Sequence, residues 1–197
     1  MAGRPREFDR EAALEAAMLL FWRKGYASAS MNDLCDAMGV RSPSLYAAFE
    51  SKEALYLAAI EHYVAIHGQP VWNRLAGGAT ARAGIANLLI AAAETLPKSR
   101  MSPAGCMAVL GAIGDEWPPT IARMVRKVRL DMLGNLRARL EAAVANGELP
   151  AAIDVDALSR FYLSVFQGMA IQAKDGATPA ELKGAAEAAM VAWPGEG

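Results

Sequence analysis

Residues 30–55 read Ser30-Met-Asn-Asp-Leu-Cys-Asp-Ala-Met-Gly-Val-Arg-Ser-Pro-Ser-Leu-Tyr-Ala-Ala-Phe-Glu-Ser-Lys-Glu-Ala-Leu55, and this stretch decides the fold. Ser30 followed three residues later by Asp33 is a capping-box-like helix start, with Asp in place of the usual Glu. The helix it opens must end by Gly39, a residue that tolerates the positive φ of a sharp turn. Ser42-Pro43 reads as an N-cap and a proline at the first helical position, opening a second short helix through Phe49. Ser51 then caps a longer helix running towards Gly68. Two helices of about eight residues joined by Gly39-Val40-Arg41 have the proportions of a helix-turn-helix. In such a unit the second helix offers its N-terminal side chains to base edges in the major groove. Here those are Ser42, Ser44, Leu45 and the flanking Arg41, the one residue among them able to pair bidentately with guanine.

Outward from this stretch, helices continue in both directions. Asp9 caps a first helix with Ala13, Leu14, Ala17, Met18 and Phe21 on one face, stopping at Lys24-Gly25. Beyond Gly77-Gly78 the segments are longer and more apolar, at about 80–96, 103–113, 120–146, 154–174 and 179–192. Composition agrees: 42 of 197 residues are alanine, whereas Val, Ile and Thr together number 22, so strand formers are scarce. The expected architecture is all-α, an N-terminal three-helix head over residues 1–56 followed by a larger helical body over 57–197.

Several function classes are set aside on the same evidence. Two cysteines, Cys35 and Cys106, make neither a disulfide framework nor a clustered zinc site. The opening residues lack the apolar stretch of a signal peptide, and the longest uncharged runs, 101–114 and 161–173, fall short of the ~20 residues that span a bilayer. A cytoplasmic protein with no membrane partner is expected. The only histidines, His62 and His67, are five residues apart, about 140° around a helix, so they do not share a face for a metal. With no Gly-rich phosphate loop and no Glu-x-x-His pair, no enzyme, metal or cofactor is expected.

The 30–55 stretch resembles the DNA-binding signature of the tetracycline-repressor-like (TetR) family, in Gly39-Val40, Leu45-Tyr46, Phe49, Lys52 and Leu55. With the first-helix ending Gly25-Tyr26, the resemblance covers about residues 8–56, and more loosely Gly147-Glu-Leu-Pro150 and Phe166-Gln-Gly-Met169. It implies a dimeric transcriptional regulator with a small-molecule site in its body. It further implies that Ser30, Tyr46 and Lys52 grip phosphates and that Ser42, Ser44 and Leu45 read bases. Arg4 and Arg6, in Gly3-Arg-Pro-Arg6, match the basic arm that some members lay in the minor groove. Three positions depart from the family pattern: Arg41 where serine is common, Pro43 where glycine is common, and Ala48 where a tyrosine or histidine often touches phosphate.

Charge constrains how such a head would work. Residues 1–56 hold seven basic and eight acidic side chains, so bulk attraction to DNA is absent. Binding must rest on a few placed cations, doubled by dimerisation. The most basic stretch lies elsewhere: six Lys and Arg residues between Arg123 and Arg139 face Asp131 alone, a pattern expected of a solvated helix face.

In the body, the segments at 154–174 and 179–192 carry more apolar positions than one helix pair needs. Leu158, Tyr162, Val165, Leu182, Ala185, Ala186, Ala189 and Met190 are the candidates for a four-helix homodimer interface. The remaining helices are expected to surround a ligand cavity. Adaptable Met101, Met107, Met124 and Met169, with Trp72, Trp117 and Phe166, are candidate walls, joined by His67, Leu110 and Val128. Cys106 follows Gly105 in what reads as the first turn of a short helix, a position that activates a thiol. It is either reactive towards electrophiles or a small packed residue. The combined expectation is a ligand-responsive repressor acting as a homodimer on a pseudo-palindromic double-stranded DNA operator and released by a small hydrophobic or reactive effector. The other reading is a helical dimer that carries a hydrophobic molecule without binding DNA.

Overall fold

Four helices build the first part of the chain: α1 (Arg10–Ser28), α2 (Met31–Met38), α3 (Ser42–Phe49) and α4 (Lys52–Tyr63). They come from a computed structural model that describes residues 9–100, 102–113 and 116–194; Arg4, Arg6 and Met101 lie outside the described residues. Asp9 Oδ1 accepts from the backbone N–H of Glu11 and of Ala12, at 3.1 Å each, and so starts α1 as its sequence foretold. The face bearing Ala13, Leu14, Ala17, Met18 and Phe21 is buried. Helical geometry breaks at Gly25, with φ 76°, and one further turn carries α1 to Ser28.

Aromatic rings hold α1 to α4. Phe21 meets Tyr56 edge-on with centroids 5.0 Å apart, and Trp22 meets Tyr63 likewise at 4.8 Å. Such pairs add about 0.5–1.5 kcal/mol each beyond the area they bury. His62 Nε2 lies 2.9 Å from Glu15 Oε2, a further link between the same two helices. Because all of α4 packs in this way, the first of two compact units ends at Tyr63 and the second begins at Val64. The boundary expected between residues 56 and 57 falls inside α4.

The second unit opens on a π-helical turn, Val64–Gly68, then α5 (Gln69–Trp72) and a 3-10 turn, Asn73–Leu75. Five helices follow: α6 (Ala81–Thr95), α7 (Met107–Leu110), α8 (Pro119–Ala145), α9 (Val155–Lys174) and α10 (Pro179–Val191). Helix α6 packs on α10 and α8 on α9. Their shared core includes Ile85, Leu88 and Leu89 from α6, Val125, Leu136 and Leu140 from α8, Phe166 from α9 and Leu182 from α10. None of the described helices is long and apolar enough to cross a membrane.

The basic stretch of α8 is largely tied up in packing. Arg129 Nη1 donates to the carbonyls of Ala108 (3.1 Å) and Gly111 (2.8 Å), and Arg139 Nη2 donates to that of Gly78 (3.1 Å). Lys127 pairs with Asp131 at 2.7 Å, and Arg137 pairs with Asp156. Only Arg123 and Arg126 of the six are exposed without one of these contacts.

One expected helix is much shorter than its sequence suggested. The segment 103–113 is helical only over Met107–Leu110. Gly105 sits at φ +83°, and a Cβ there would come within 2.5 Å of Leu110 Cδ1 and 3.0 Å of the Ala170 carbonyl oxygen. The chain must therefore turn tightly against α9 before the helix can begin. At the other end Gly111 leaves helical geometry, at φ −85° and ψ 151°, and Ala112 follows at φ 50°.

Candidate nucleic-acid interface

The helix-turn-helix is built by local hydrogen bonds that the sequence already announces. Ser30 Oγ accepts from Asp33 N at 3.0 Å, and Asp33 Oδ2 accepts from Ser30 N at 2.9 Å, closing the capping box. Lys24 Nζ reaches Asp33 Oδ1 at 2.9 Å and ties α1 to the start of α2. This lysine, the Ser30 backbone N–H and the Ser30 hydroxyl together hold the Asp33 carboxyl well below the usual carboxylate range. Gly39 ends α2 in the left-handed conformation, φ 64° and ψ 32°, with space around its Cα. That single residue sets the turn into α3.

Helix α3 starts one residue differently from the expectation. Arg41 is its N-cap position and Ser42 its first residue, so the Ser42 hydroxyl makes no cap bond. Arg41, Ser42 and Ser44 are all exposed at this end, where base edges would be read. Leu45 is a correction: it is 0% exposed, a core residue that seats α3 and cannot touch a base. Phe49 is buried likewise, and Tyr46 is 46% exposed.

The phosphate-gripping candidates are placed unequally. Lys52 Nζ lies 4.5 Å from the centroid of the Tyr26 ring, and Tyr26 in turn meets Tyr56 edge-on at 5.3 Å. Burial there pulls the Lys52 pKa below the ordinary lysine value, while burial and then the Glu53 charge push that of Tyr26 up. A lysine held on an aromatic face is pre-positioned, which lowers the entropy lost when it meets an anion. Ser30 is less available, because its hydroxyl proton is donated to Asp33 Oδ2 at 2.8 Å. The part played by Tyr26 was not read from the sequence, where Gly25-Tyr26 served only as a helix-end landmark.

In the second unit, the expected ligand residues fall into two groups. Cys106, Met107, Phe166 and Met169 are buried, and Trp72 meets Phe166 at 5.1 Å between centroids. His67, Leu110, Trp117, Met124 and Val128 are half-buried. Cys106 is the N-cap residue of α7, at φ −113° and ψ 123°, and not part of its first turn. A four-residue helix supplies little dipole, so the argument for thiol activation from a helix terminus weakens.

A cleft of about 560 Å³ opens elsewhere, with Asn73, Arg74, Asn87 and Glu94 around Pro70, Ile90 and Ala91. It shares no residue with the expected ligand set.

The dimer candidates are similarly divided. Tyr162, Leu182, Ala186 and Ala189 are buried within the protomer, Ala189 keeping 8% exposure. Leu158, Val165, Ala185 and Met190 are half-buried. Phe161 and Ile171 on α9 and Val191 on α10 are the large apolar side chains left exposed on these two helices. The Tyr162 hydroxyl has no hydrogen-bond partner among the described residues, and burial pushes its pKa up to about 12 despite the opposing charge of Arg82.

Comparison with known proteins places this geometry. A profile of bacterial regulatory proteins of the tetR family matches residues 13–59, and one of the tetracyclin repressor-like C-terminal domain matches residues 85–189. The HTH-type transcriptional repressor ComR of Escherichia coli K12 is 33% identical over 98% of this chain and 92% of its own length. The HTH-type transcriptional repressor BdcR of the same organism is 35% identical over 55% of each chain. Among solved structures, a cysteine mutant of the TetR family transcriptional regulator CifR, complexed with a 26-base-pair double-strand operator DNA, is 39% identical. It superposes with a TM-score of 0.91 over 98% of this chain and all of its own.

Proposed function

Because the chain belongs to the TetR family of transcriptional regulators, we propose that it is a homodimeric repressor that reads a pseudo-palindromic operator and is released by a small hydrophobic or reactive effector. The observation that carries this reading is the exposed end of α3, Arg41, Ser42 and Ser44, held in place by the Gly39 turn and the buried Leu45 and Phe49. Arg41 takes the base-reading role, as the residue there with a two-pronged donor set. Lys52, on its Tyr26 platform, and the exposed Tyr46 fix the head on the sugar-phosphate backbone. The repressor names of ComR and BdcR, and the operator DNA bound to the CifR mutant, support the same reading.

A dimer places two heads on half-sites about 34–36 Å apart, one turn of the double helix. An effector in the second unit releases the DNA only if it prefers the conformation with mismatched heads, with a coupling of about 1–3 kcal/mol. We assign its walls to the buried Met107, Phe166 and Met169 and to Trp72, whose ring meets Phe166; Cys106 is buried as well. If the effector is reactive, Cys106→Ser leaves DNA binding intact and abolishes release by oxidants or electrophiles; unchanged release makes Cys106 a packing residue.

Footprinting of the DNA adjoining the chain's own gene, over a salt series and with candidate ligands, tests the whole. A protected pseudo-palindrome whose occupancy falls with salt is expected. A dimer that binds a hydrophobic ligand and shows no salt-dependent DNA binding would establish the carrier reading instead.

A further inference from the structure

Two cations of the first unit lie over aromatic rings, and only one of them has a role so far. Lys52 sits over Tyr26; Arg10 places its guanidinium carbon 4.7 Å from the centroid of Phe49. Phe49 is the last residue of α3 and is buried, so the platform under Arg10 is part of the recognition helix itself. Arg10 is exposed and joins no ion pair among the described residues. The neighbouring Asp9 is turned to the helix start, its Oδ1 accepting from the backbone N–H groups of Glu11 and Ala12. The last turn of α3 carries Tyr46, Ala47 and Ala48 before Phe49, Glu50 follows it, and no ion pair among the described residues joins Arg10 to that glutamate.

A guanidinium over a ring uses its π face for the contact, and its N–H donors, which lie in the plane, stay free for an anion. A head whose charges sum to −1 over residues 1–56 also needs every placed cation it has. We infer that Arg10 is a backbone anchor of this head: held against Phe49 at the C-terminal end of α3, it binds a phosphate of the DNA that α3 enters. This rests on the DNA-binding reading above. The ring contact fixes the fork relative to the recognition helix, so the anchor and the base-reading end move as one body.

The test compares wild-type, Arg10→Met and Arg10→Lys proteins on two duplexes, one carrying the DNA adjoining the gene and one of mixed sequence, across a salt series. Methionine keeps an unbranched stem over Phe49 and removes the charge. Thermal unfolding of each variant is measured alongside. For Arg10→Met the slope of log affinity against log salt becomes shallower by roughly 0.9 for each phosphate that is no longer gripped. Affinity falls by the same factor on both duplexes, and Arg10→Lys keeps most of the slope. An unchanged slope for Arg10→Met, or a loss confined to the gene-adjoining duplex, overturns the inference while leaving DNA binding standing. No binding by the wild-type protein to either duplex overturns the DNA-binding reading itself.

Discussion

The two compact units make their turns in contrasting ways. In the first, Gly39 takes a left-handed φ in open space, and its turn is closed by near neighbours in sequence, Gly39 N–H donating to the Asp36 carbonyl and Val40 N–H to that of Cys35. In the second, Gly105 takes a positive φ where a Cβ would run into Leu110, five residues on, and into the carbonyl of Ala170, sixty-five residues away on α9. One turn is a local instruction, and the other is a consequence of tertiary packing. Local instructions are portable, which suits a head that must present the same edge to DNA. Packing-dependent turns respond to whatever occupies the core, which suits a unit proposed to sense a ligand.

Substitutions at these turns separate the two cases most strongly. Gly105→Ala adds a steric clash to an unfavourable φ and is expected to destabilise the second unit by about 2–4 kcal/mol, read as a fall in its unfolding midpoint. Arg41→Ala leaves the fold alone and is expected to cost about 1–3 kcal/mol of binding to the specific site while relaxing base preference. Equal loss on specific and mixed-sequence DNA would remove Arg41 from base reading. Gly39→Ala meets no atom within 4 Å, so only the left-handed backbone opposes it, by about 1–2 kcal/mol. If it costs as much as Gly105→Ala, the contrast between local and packed turns is wrong.

Two smaller effects concern polar groups. The Tyr162 hydroxyl, without a hydrogen-bond partner among the described residues, is a liability inside the protomer, so Tyr162→Phe is expected to raise stability by about 1 kcal/mol. With a folded pKa of about 12 above the ordinary value of 10.0, Tyr162 contributes stability that is present below pH 10 and lost as pH rises towards 12. The phenylalanine variant should show a flatter alkaline limb in its unfolding curve. In the first unit the sign is reversed. Asp33 has a depressed folded pKa, so its contribution is present above the unfolded carboxylate value, about 3.9, and is lost as pH falls below it. Asp33→Ala should flatten the acid limb alone.

How legible each region was in the sequence follows the same division. The head could be read almost residue by residue, because Asp9, Ser30, Asp33, Gly39 and Ser51 act within three or four positions of themselves. Even there, Leu45 was misplaced: its helical neighbours are the proposed base readers, and only the three-dimensional packing turns it inward. The sharp turn at Glu50, φ 62°, was also invisible, since nothing about a glutamate asks for it. In the body, helix positions were readable from proline and glycine, but not which apolar face meets which. Tyr162, Leu182, Ala186 and Ala189 have the same sequence signature whether they face a partner or their own core, and the structure gives them to the core. The short span of α7 and the Asn73–Glu94 cleft depend on contacts that no local pattern records.

The central claim is that a nearly neutral head binds DNA through a few placed cations and not through bulk charge. The salt dependence of the wild-type protein on the DNA adjoining its gene measures this directly. With two or three phosphate-contacting cations per protomer, a dimer gives a slope of log affinity against log salt of roughly −4 to −5. A slope near −10 would mean a broad electrostatic footprint and contradict the account, and a slope of zero would mean that no phosphate is gripped at all.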